Sequence, residues 1–381
     1  MDDLNERTLK IIDTTLRDGE QTPYVSFNRE NKIQIAEMLE EAGVDEIEAG
    51  IPVMGSIEQK TISDITKRIK NSQIISWCRA SRKDLECAEK CNTGRVHISF
   101  PVSEIQLDLM GKDHKWLFDI AEDIISEAVK RFDFVSVGAL DATRCEINIL
   151  KDFSKFTLLL GAKRLRIADT VGIGTPLNIY NIFKELLENE SGIKYEFHGH
   201  NDLAMAVANS ISAFEAGADA ISTTINGIGE RAGNAATEEV IAALKYGSLK
   251  KTNINLKNLI AVCKLIEKLS GIKTNKLKPV TGKNINVHES GIHCNGMLKN
   301  PLSFQPFNPE EFGLEQAIFV AGKHSGLNGL KHILEKKGII PSENYVRKLI
   351  KKIKFDLESN SGFKVEELVD MDKIYEEIEL S

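Results

Sequence analysis

EEAGVDEIEAG, residues 40–50, stops a helix-period run at a glycine, leaves two residues, and then begins a short strand over Glu46–Ala49. LLGAKRLRIADT (159–170) and FEAGADAISTT (214–224) do the same. A glycine just past a helix end, followed by a short connection into a strand, explains the spacing without any appeal to function. Working outward, β-branched runs alternate with helix-period segments from residue 9 to about 247 and make eight βα units. The strands are expected at Leu9–Asp13, Glu46–Ala49, Ile74–Cys78, Val96–Phe100, Phe134–Gly138, Arg164–Ala168, Tyr195–His198 and Ala220–Thr224. Helices such as Arg29–Glu41, Trp116–Arg131 and Ile179–Glu188 separate them. Eight parallel strands, each followed by a helix, close most simply as an α/β fold of the (β/α)8 TIM-barrel type. An open doubly wound sheet is the alternative, and no G-x-G-x-x-G follows the first strand to support it.

The chain has 381 residues, room for a barrel of about 250 residues and an appendage. Residues 1–250 are read as the catalytic barrel, 251–315 as a linker helix and lid, and 316–381 as a C-terminal helical subdomain. Within the tail, Asn258–Leu269, Tyr345–Ser359 and Val365–Ile378 read as helices. A net charge of −7, from 56 acidic and 49 basic residues spread along the chain, argues against nucleic acid or an anionic membrane as partner. No apolar run approaches the roughly 18 residues of a membrane span, and a soluble, cytoplasmic protein is expected. Cys78, Cys87, Cys91, Cys145, Cys263 and Cys294 form no C-x2-C pair and read as reduced thiols.

Barrel active sites lie at the carboxyl ends of the strands. The unusual residues fall there, beginning with IIDTTLRDGEQ (11–21), where Asp13, Arg17, Asp18, Glu20 and Gln21 crowd into nine positions. A strand-to-helix turn needs one capping residue, not an arginine among three carboxylates. The complement is EFHGHND (196–202), which runs from the seventh strand into the loop after it. His198 and His200 are two apart on a strand end, so their imidazoles share one face and can grip one ion. Asp18 is the obvious third ligand, leaving open positions for substrate and water. A 2-oxo acid could chelate such an ion, with Arg17 balancing the charge on its oxygen. The competing role for Arg17 is a structural ion pair with Glu20 or Asp13. NGIGERAGN (226–234) and AGKHSG (321–326) are glycine-rich and could meet a phosphate or carboxylate, but neither is a P-loop. The stretch 278–312, rich in Gly, Pro, Asn and His, reads as a loop without regular structure that acts as a lid.

Taken together, DTTLRDGEQ, HGHND, NGIGERAGN, HESGIH and GKHSG resemble the acyl-CoA-condensing branch of the DRE-TIM metallolyases, the homocitrate and isopropylmalate synthases. WCRAS (77–81), FPVSE (100–104) and NPLSFQPFNPEEFG (300–313) are similar to the homocitrate synthases of nitrogen-fixing organisms. The resemblance implies a divalent metal (Mg, Mn or Zn) on Asp18, His198 and His200 with Asn234 nearby, and condensation of acetyl-CoA with a 2-oxo acid followed by thioester hydrolysis. It further implies that Arg17, Gln21, Glu48 and Thr170 contact the oxo acid, and that His293, from the lid of a neighbouring subunit, assists enolisation in a homodimer with exchanged C-terminal segments. Arg79 is a candidate for the far carboxylate of the substrate, with a structural role as the equal alternative.

Two positions depart from the pattern. Leu140 stands where relatives carry a glutamate, and Phe304 where a tyrosine is common. Either Glu196, Asp141 or a water then carries the proton, or the reaction or its substrate differs from the family's. The leading expectation is homocitrate synthesis from 2-oxoglutarate. Citramalate, isopropylmalate or Re-type citrate synthesis and an oxo-acid sensor without turnover are the alternatives.

Overall fold

A computed structural model describes residues 9–188, 192–248, 252–314 and 316–359. The expected helix Val365–Ile378 lies outside the described residues. Eight strands close into one parallel barrel in chain order. They are β1 (Lys10–Asp13), β2 (Glu46–Gly50), β3 (Gln73–Arg79), β4 (Arg95–Pro101), β5 (Phe134–Leu140), β6 (Arg164–Asp169), β7 (Lys194–Gly199) and β8 (Ala220–Thr223). Closure is direct, because β8 pairs with β1 from Ala220 opposite Lys10 to Thr223 opposite Asp13. The open doubly wound sheet is thereby excluded.

The glycines that end the helices do what their spacing demands. Gly43, Gly161 and Gly217 have φ of 88°, 101° and 125°, where side chains with a Cβ are strained. The following amide then bonds back five residues, Val44 to Leu39, Ala162 to Thr157 and Ala218 to Ala213, which ends each helix and aims the chain into the next strand. Outward-facing strand residues such as Val96, Ile98, Val137, Leu165 and Phe197 are buried against Leu117, Ile124, Phe153 and Phe183 of the surrounding helices. At about 1.5–3 kcal/mol for each fully buried large apolar side chain, this shell is the main stabilising layer.

The chain divides into two compact units, 1–274 and 275–381. Helix Leu256–Ser270, expected from the sequence to be a linker, belongs to the barrel unit. It is tied there by Asn255 N–H to the Ala42 carbonyl (2.8 Å) and Asn258 Nδ2 to the Glu41 carbonyl (2.8 Å). In the second unit, Leu327–Lys336 and Glu343–Ser359 pack through Leu330, Leu334, Val346, Leu349 and Ile353.

The stretch 278–312 is not structureless. It holds a short strand, Val287–His288, paired in parallel with Ile318–Phe319, and the helix Gly291–Lys299. Its glycines suggest a loop by composition, but they serve close packing. A Cβ on Gly291 would lie 2.7 Å from the Gly326 Cα, so the two segments approach where only glycine fits.

Candidate active site

The loop after β1 is wound round one carbonyl. The amides of Arg17, Asp18 and Gly19 all point to the Thr14 oxygen, at 3.1, 2.8 and 3.1 Å, and the one-turn helix Gly19–Gln21 follows. This turn delivers Asp18, 2% exposed, to the barrel mouth. From β7, His198 and His200 arrive with ring centroids 5.1 Å apart. Asp18 Oδ2 lies 3.0 Å from His198 Nε2 and 3.8 Å from His200 Nε2. The three side chains offer ligand atoms within 4.8 Å of one another, and among the described residues no other group of three does so.

The donor set fits a divalent cation. Both Nε2 atoms turn to the Asp18 carboxylate, and Oδ1 of Asn234 is buried without a protein partner, an arrangement costly unless something else satisfies it. Asn234 is brought alongside by a bridge to His200 and held by Nδ2 donating to the Ile228 carbonyl at 3.1 Å. Burial, then His198, lowers His200 to about 4, which keeps it in the neutral form that ligates metals. Burial alone would raise Asp18, but the Arg17 guanidinium and His198 outweigh it and hold the carboxyl well below its ordinary range.

Arg17 is 8% exposed and donates Nε to Glu48 Oε2, while NH1 lies 3.1 Å from Asp18 Oδ2. It pairs with neither Glu20 nor Asp13 among the described contacts. Beside the cluster is a cavity of about 210 Å3 whose walls include Arg17, Gln21, Trp77, His97, Leu140 and Thr170. The sequence-predicted Arg17, Asp18, Gln21, Thr170, His198 and His200 are therefore together at one mouth.

Four expected residues are placed differently. Glu48 is fully buried with one oxygen on Arg17 and the other 2.7 Å from Arg166 NH2, so it reaches the cavity only through those arginines. Glu196 is also fully buried beneath the histidines. Arg166 Nε and the Ser222 hydroxyl both donate to its Oε1. Arg164 Nε approaches its Oε2 to 2.8 Å as an ion pair off the hydrogen-bonding line. It is not a wall residue and belongs to the charged interior of the barrel. Arg79 turns to Asp84, with Nε and NH2 each 3.0 Å from its carboxylate, and does not line the cavity. Asp141, expected as a stand-in for the missing glutamate, is committed to Arg144 and the Ser103 hydroxyl. Leu140 itself lines the cavity with its apolar side chain.

His293 sits in the second unit on helix Gly291–Lys299, stacked on Phe304 at 4.1 Å with an 18° angle between rings. The phenyl group at the departing position thus gives the imidazole a flat support in place of a hydroxyl.

Trp77, His97 and Arg166, which the sequence does not single out, also line the cavity, together with Arg231 from the glycine-rich stretch 226–234. The signal was present in the period-two pattern, because His97 in RVHISFP and Arg166 in RLRIAD are polar on one face of otherwise apolar strands. His97 is 1% exposed with Nδ1 3.0 Å from Ser136 Oγ. Burial, then Arg166, Arg164 and Arg17, push it well below its ordinary value, so the imidazole is neutral.

One carboxyl beneath the mouth makes a pH prediction. Burial raises Asp13 to about 7 from 3.8, against hydrogen bonds from the Thr15 amide and the Thr237 hydroxyl. A folded value above the unfolded one gives stability that is complete below 3.8 and lost as pH rises through about 7. Asp13→Asn mimics the protonated group, so its thermal stability relative to the parent should climb between pH 4 and 7 and level off above. At about 1.4 kcal/mol per unit the full difference is a few kcal/mol. Melting curves with a constant difference across that range would contradict it.

Comparison with known proteins agrees with this geometry. Residues 8–266 match the HMGL-like family model, and residues 280–360 match the model described as homocitrate synthase post-HMGL domain-like. Among curated relatives, 2-isopropylmalate synthase 2 of Caldanaerobacter subterraneus is 40% identical, the match covering 91% of this chain and 90% of that protein. Homocitrate synthase AksA of Methanocaldococcus jannaschii is 39% identical, with 92% and 87% covered. Homocitrate synthase 1 of Nostoc is 41% identical, with 86% and 87% covered. Among solved structures, hydroxymethylglutaryl-CoA lyase from Pseudomonas aeruginosa superposes with a TM-score of 0.64 at 17% identity, covering 71% of this chain and 96% of that one, a likeness of fold. With the barrel, the histidine pair and both matched segments in place, the chain belongs to the HMGL-like family of DRE-TIM proteins and carries the homocitrate synthase-type post-HMGL domain.

Proposed function

We propose that the protein condenses acetyl-CoA with a 2-oxo acid and hydrolyses the thioester, with 2-oxoglutarate as substrate and homocitrate as product. The observation that carries the condensation is the Asp18–His198–His200 cluster beside Arg17 at the mouth of one cavity. A divalent ion would be held by those three residues with Asn234 alongside, and the chemistry it supplies when bound is Lewis-acid polarisation of a carbonyl. Arg17 spends two contacts on Glu48 and Asp18 and lines the cavity, leaving other guanidinium N–H groups to balance charge on a substrate oxygen. Thr170 accepts the Asp141 amide at 2.8 Å, so its own hydroxyl proton is free to be donated to a carboxylate, and Gln21 adds an amide on the same wall. His293 is the proposed base for enolisation, supplied by a partner copy of the chain in a homodimer with exchanged C-terminal segments.

The choice of 2-oxoglutarate rests on the homocitrate synthase-type second domain, on the homocitrate synthase relatives, and on His97 and Ser99 as hydrogen-bonding groups in the wall. A second reading, a shorter or apolar 2-oxo acid, is favoured by Leu140, Trp77 and Ala168 in the same wall and by the isopropylmalate synthase relative. Release of free thiol from acetyl-CoA, followed with Mg or Mn and a panel of 2-oxo acids, tests both. The expected result is the highest kcat/KM with 2-oxoglutarate. A preference for pyruvate, 2-oxoisovalerate or oxaloacetate replaces the substrate, and no release with any of them sinks the enzyme reading.

A further inference from the structure

One buried cation takes no part in the chemistry described so far. Lys32, on helix Arg29–Ala42, is 2% exposed. A lysine buried to that degree persists only where its ammonium is paired. Nζ lies 2.6 Å from Glu20 Oε2, 2.8 Å from Glu58 Oε1 and 3.4 Å from the Leu16 carbonyl oxygen. Leu16 immediately precedes Arg17 and Asp18, and Glu20 lies two residues beyond Asp18. The ammonium therefore holds the chain on both sides of the dipeptide that carries the carboxylate of the cluster and the guanidinium beside it.

The far ends of these contacts are anchored in turn. Glu20 Oε1 accepts the Phe27 amide at 2.9 Å, and Glu58, on helix Ser56–Arg68, accepts the Ile51 amide at 3.4 Å just after β2. One nitrogen thus joins the loops after the first two strands to the helix between them. The hydrogen bonds to Thr14 set the shape of the turn, and Lys32 sets where that turn sits against the neighbouring helices. Metal–ligand distances tolerate only about 0.2 Å of error, so the placement of the turn matters as much as its shape.

We propose that Lys32 is a positioning residue, which brackets Arg17–Asp18 between the Leu16 carbonyl and the Glu20 carboxylate and so holds Asp18 in register with His198 and His200. The inference rests on the metal reading of that cluster. The competing role is charge balance alone, in which Lys32 neutralises two carboxylates without placing the turn.

Calorimetric titration of the full-length protein with Mn2+, beside thermal melting, separates the two roles. Lys32→Met keeps the apolar stem and removes the ammonium. Its Mn2+ affinity should fall about tenfold or more, the usual cost of losing a group that orients a metal ligand. Combining Lys32→Met with Glu20→Gln and Glu58→Gln removes the repulsion between the stranded carboxylates. That variant should recover melting temperature without recovering Mn2+ affinity, and it decides the matter if Lys32→Met alone fails to fold. Mn2+ affinity within twofold of the parent in either folded variant would overturn the positioning role. A parent that binds no divalent cation would instead overturn the metal reading and this inference with it, so the two failures are told apart.

Discussion

Asp18→Asn is expected to lower kcat/KM for the condensation by about three orders of magnitude while the barrel stays folded. The reason is the number of partners that one oxygen serves. Asp18 Oδ2 lies 3.0 Å from His198 Nε2, 3.8 Å from His200 Nε2 and 3.1 Å from Arg17 NH1. At such distances, with an effective dielectric constant near 20, one unit charge is worth about 4 kcal/mol, close to a thousandfold in rate. The asparagine keeps the shape of the site and loses the charge that offsets Arg17 and would offset a bound cation. Both Mn2+ affinity and turnover should therefore fall together, and the melting temperature should fall as well, because Arg17 loses one of its two buried carboxylates, so both are measured below the melting transition of the variant. An Asp18→Asn protein that binds Mn2+ as the parent does, and turns over within tenfold of it, would remove Asp18 from the metal-binding role.

Much of this site is legible in the sequence, and the reason is local. A strand end that carries H-x-H puts both imidazoles on one face whatever the rest of the chain does, and the C-terminal mouth of a barrel is where loops meet. The strand positions follow from glycine caps and β-branched runs, and each expected strand overlaps an observed one, with ends shifted by no more than two residues. Partner choice is not legible. Arg79 is one residue past Cys78 on β3, an expected wall position, but Asp84 on the next helix presents a bidentate carboxylate that a linear reading cannot see. Depth along a strand is not legible either. Glu196 and His198 share a face, yet only the upper residue meets the cavity, because the lower one is enclosed by Arg164 and Arg166. The helix Gly291–Lys299 is hidden for a different reason, since its glycines serve close approach while composition counts them as loop.

The enclosure of Glu196 leads to the largest stability effect expected of any single change. A column of alternating charges threads the barrel. Arg95 pairs with Glu46 at 2.7 Å, Glu46 with Arg164, Arg164 with Glu196 at 2.8 Å and Glu196 with Arg166. The column continues from Arg166 to Glu48 at 2.7 Å, from Glu48 to Arg17, and from Arg17 to Asp18 at 3.1 Å. Four arginines meet four carboxylates, so the column is neutral as a whole. Glu196→Gln leaves one positive charge uncompensated where Arg164 and Arg166 are each no more than 4% exposed. Removing one partner of a buried pair costs about 3–5 kcal/mol. At about 2–4 °C per kcal/mol for domains approaching this size, the melting temperature should fall by roughly 10 °C. Adding Arg164→Met restores neutrality, with Glu46 still paired to Arg95, and should return most of the loss. Activity measured at 15 °C, where the variant stays folded, distinguishes this role from the proton-transfer role suggested by sequence. A residue that only supports Glu48 and Arg17 from below should cost less than about tenfold in kcat, whereas a proton-transfer group typically contributes about 10²–10⁴-fold. A large loss of kcat with an unchanged melting temperature would return Glu196 to the chemistry and show that the column tolerates a missing charge.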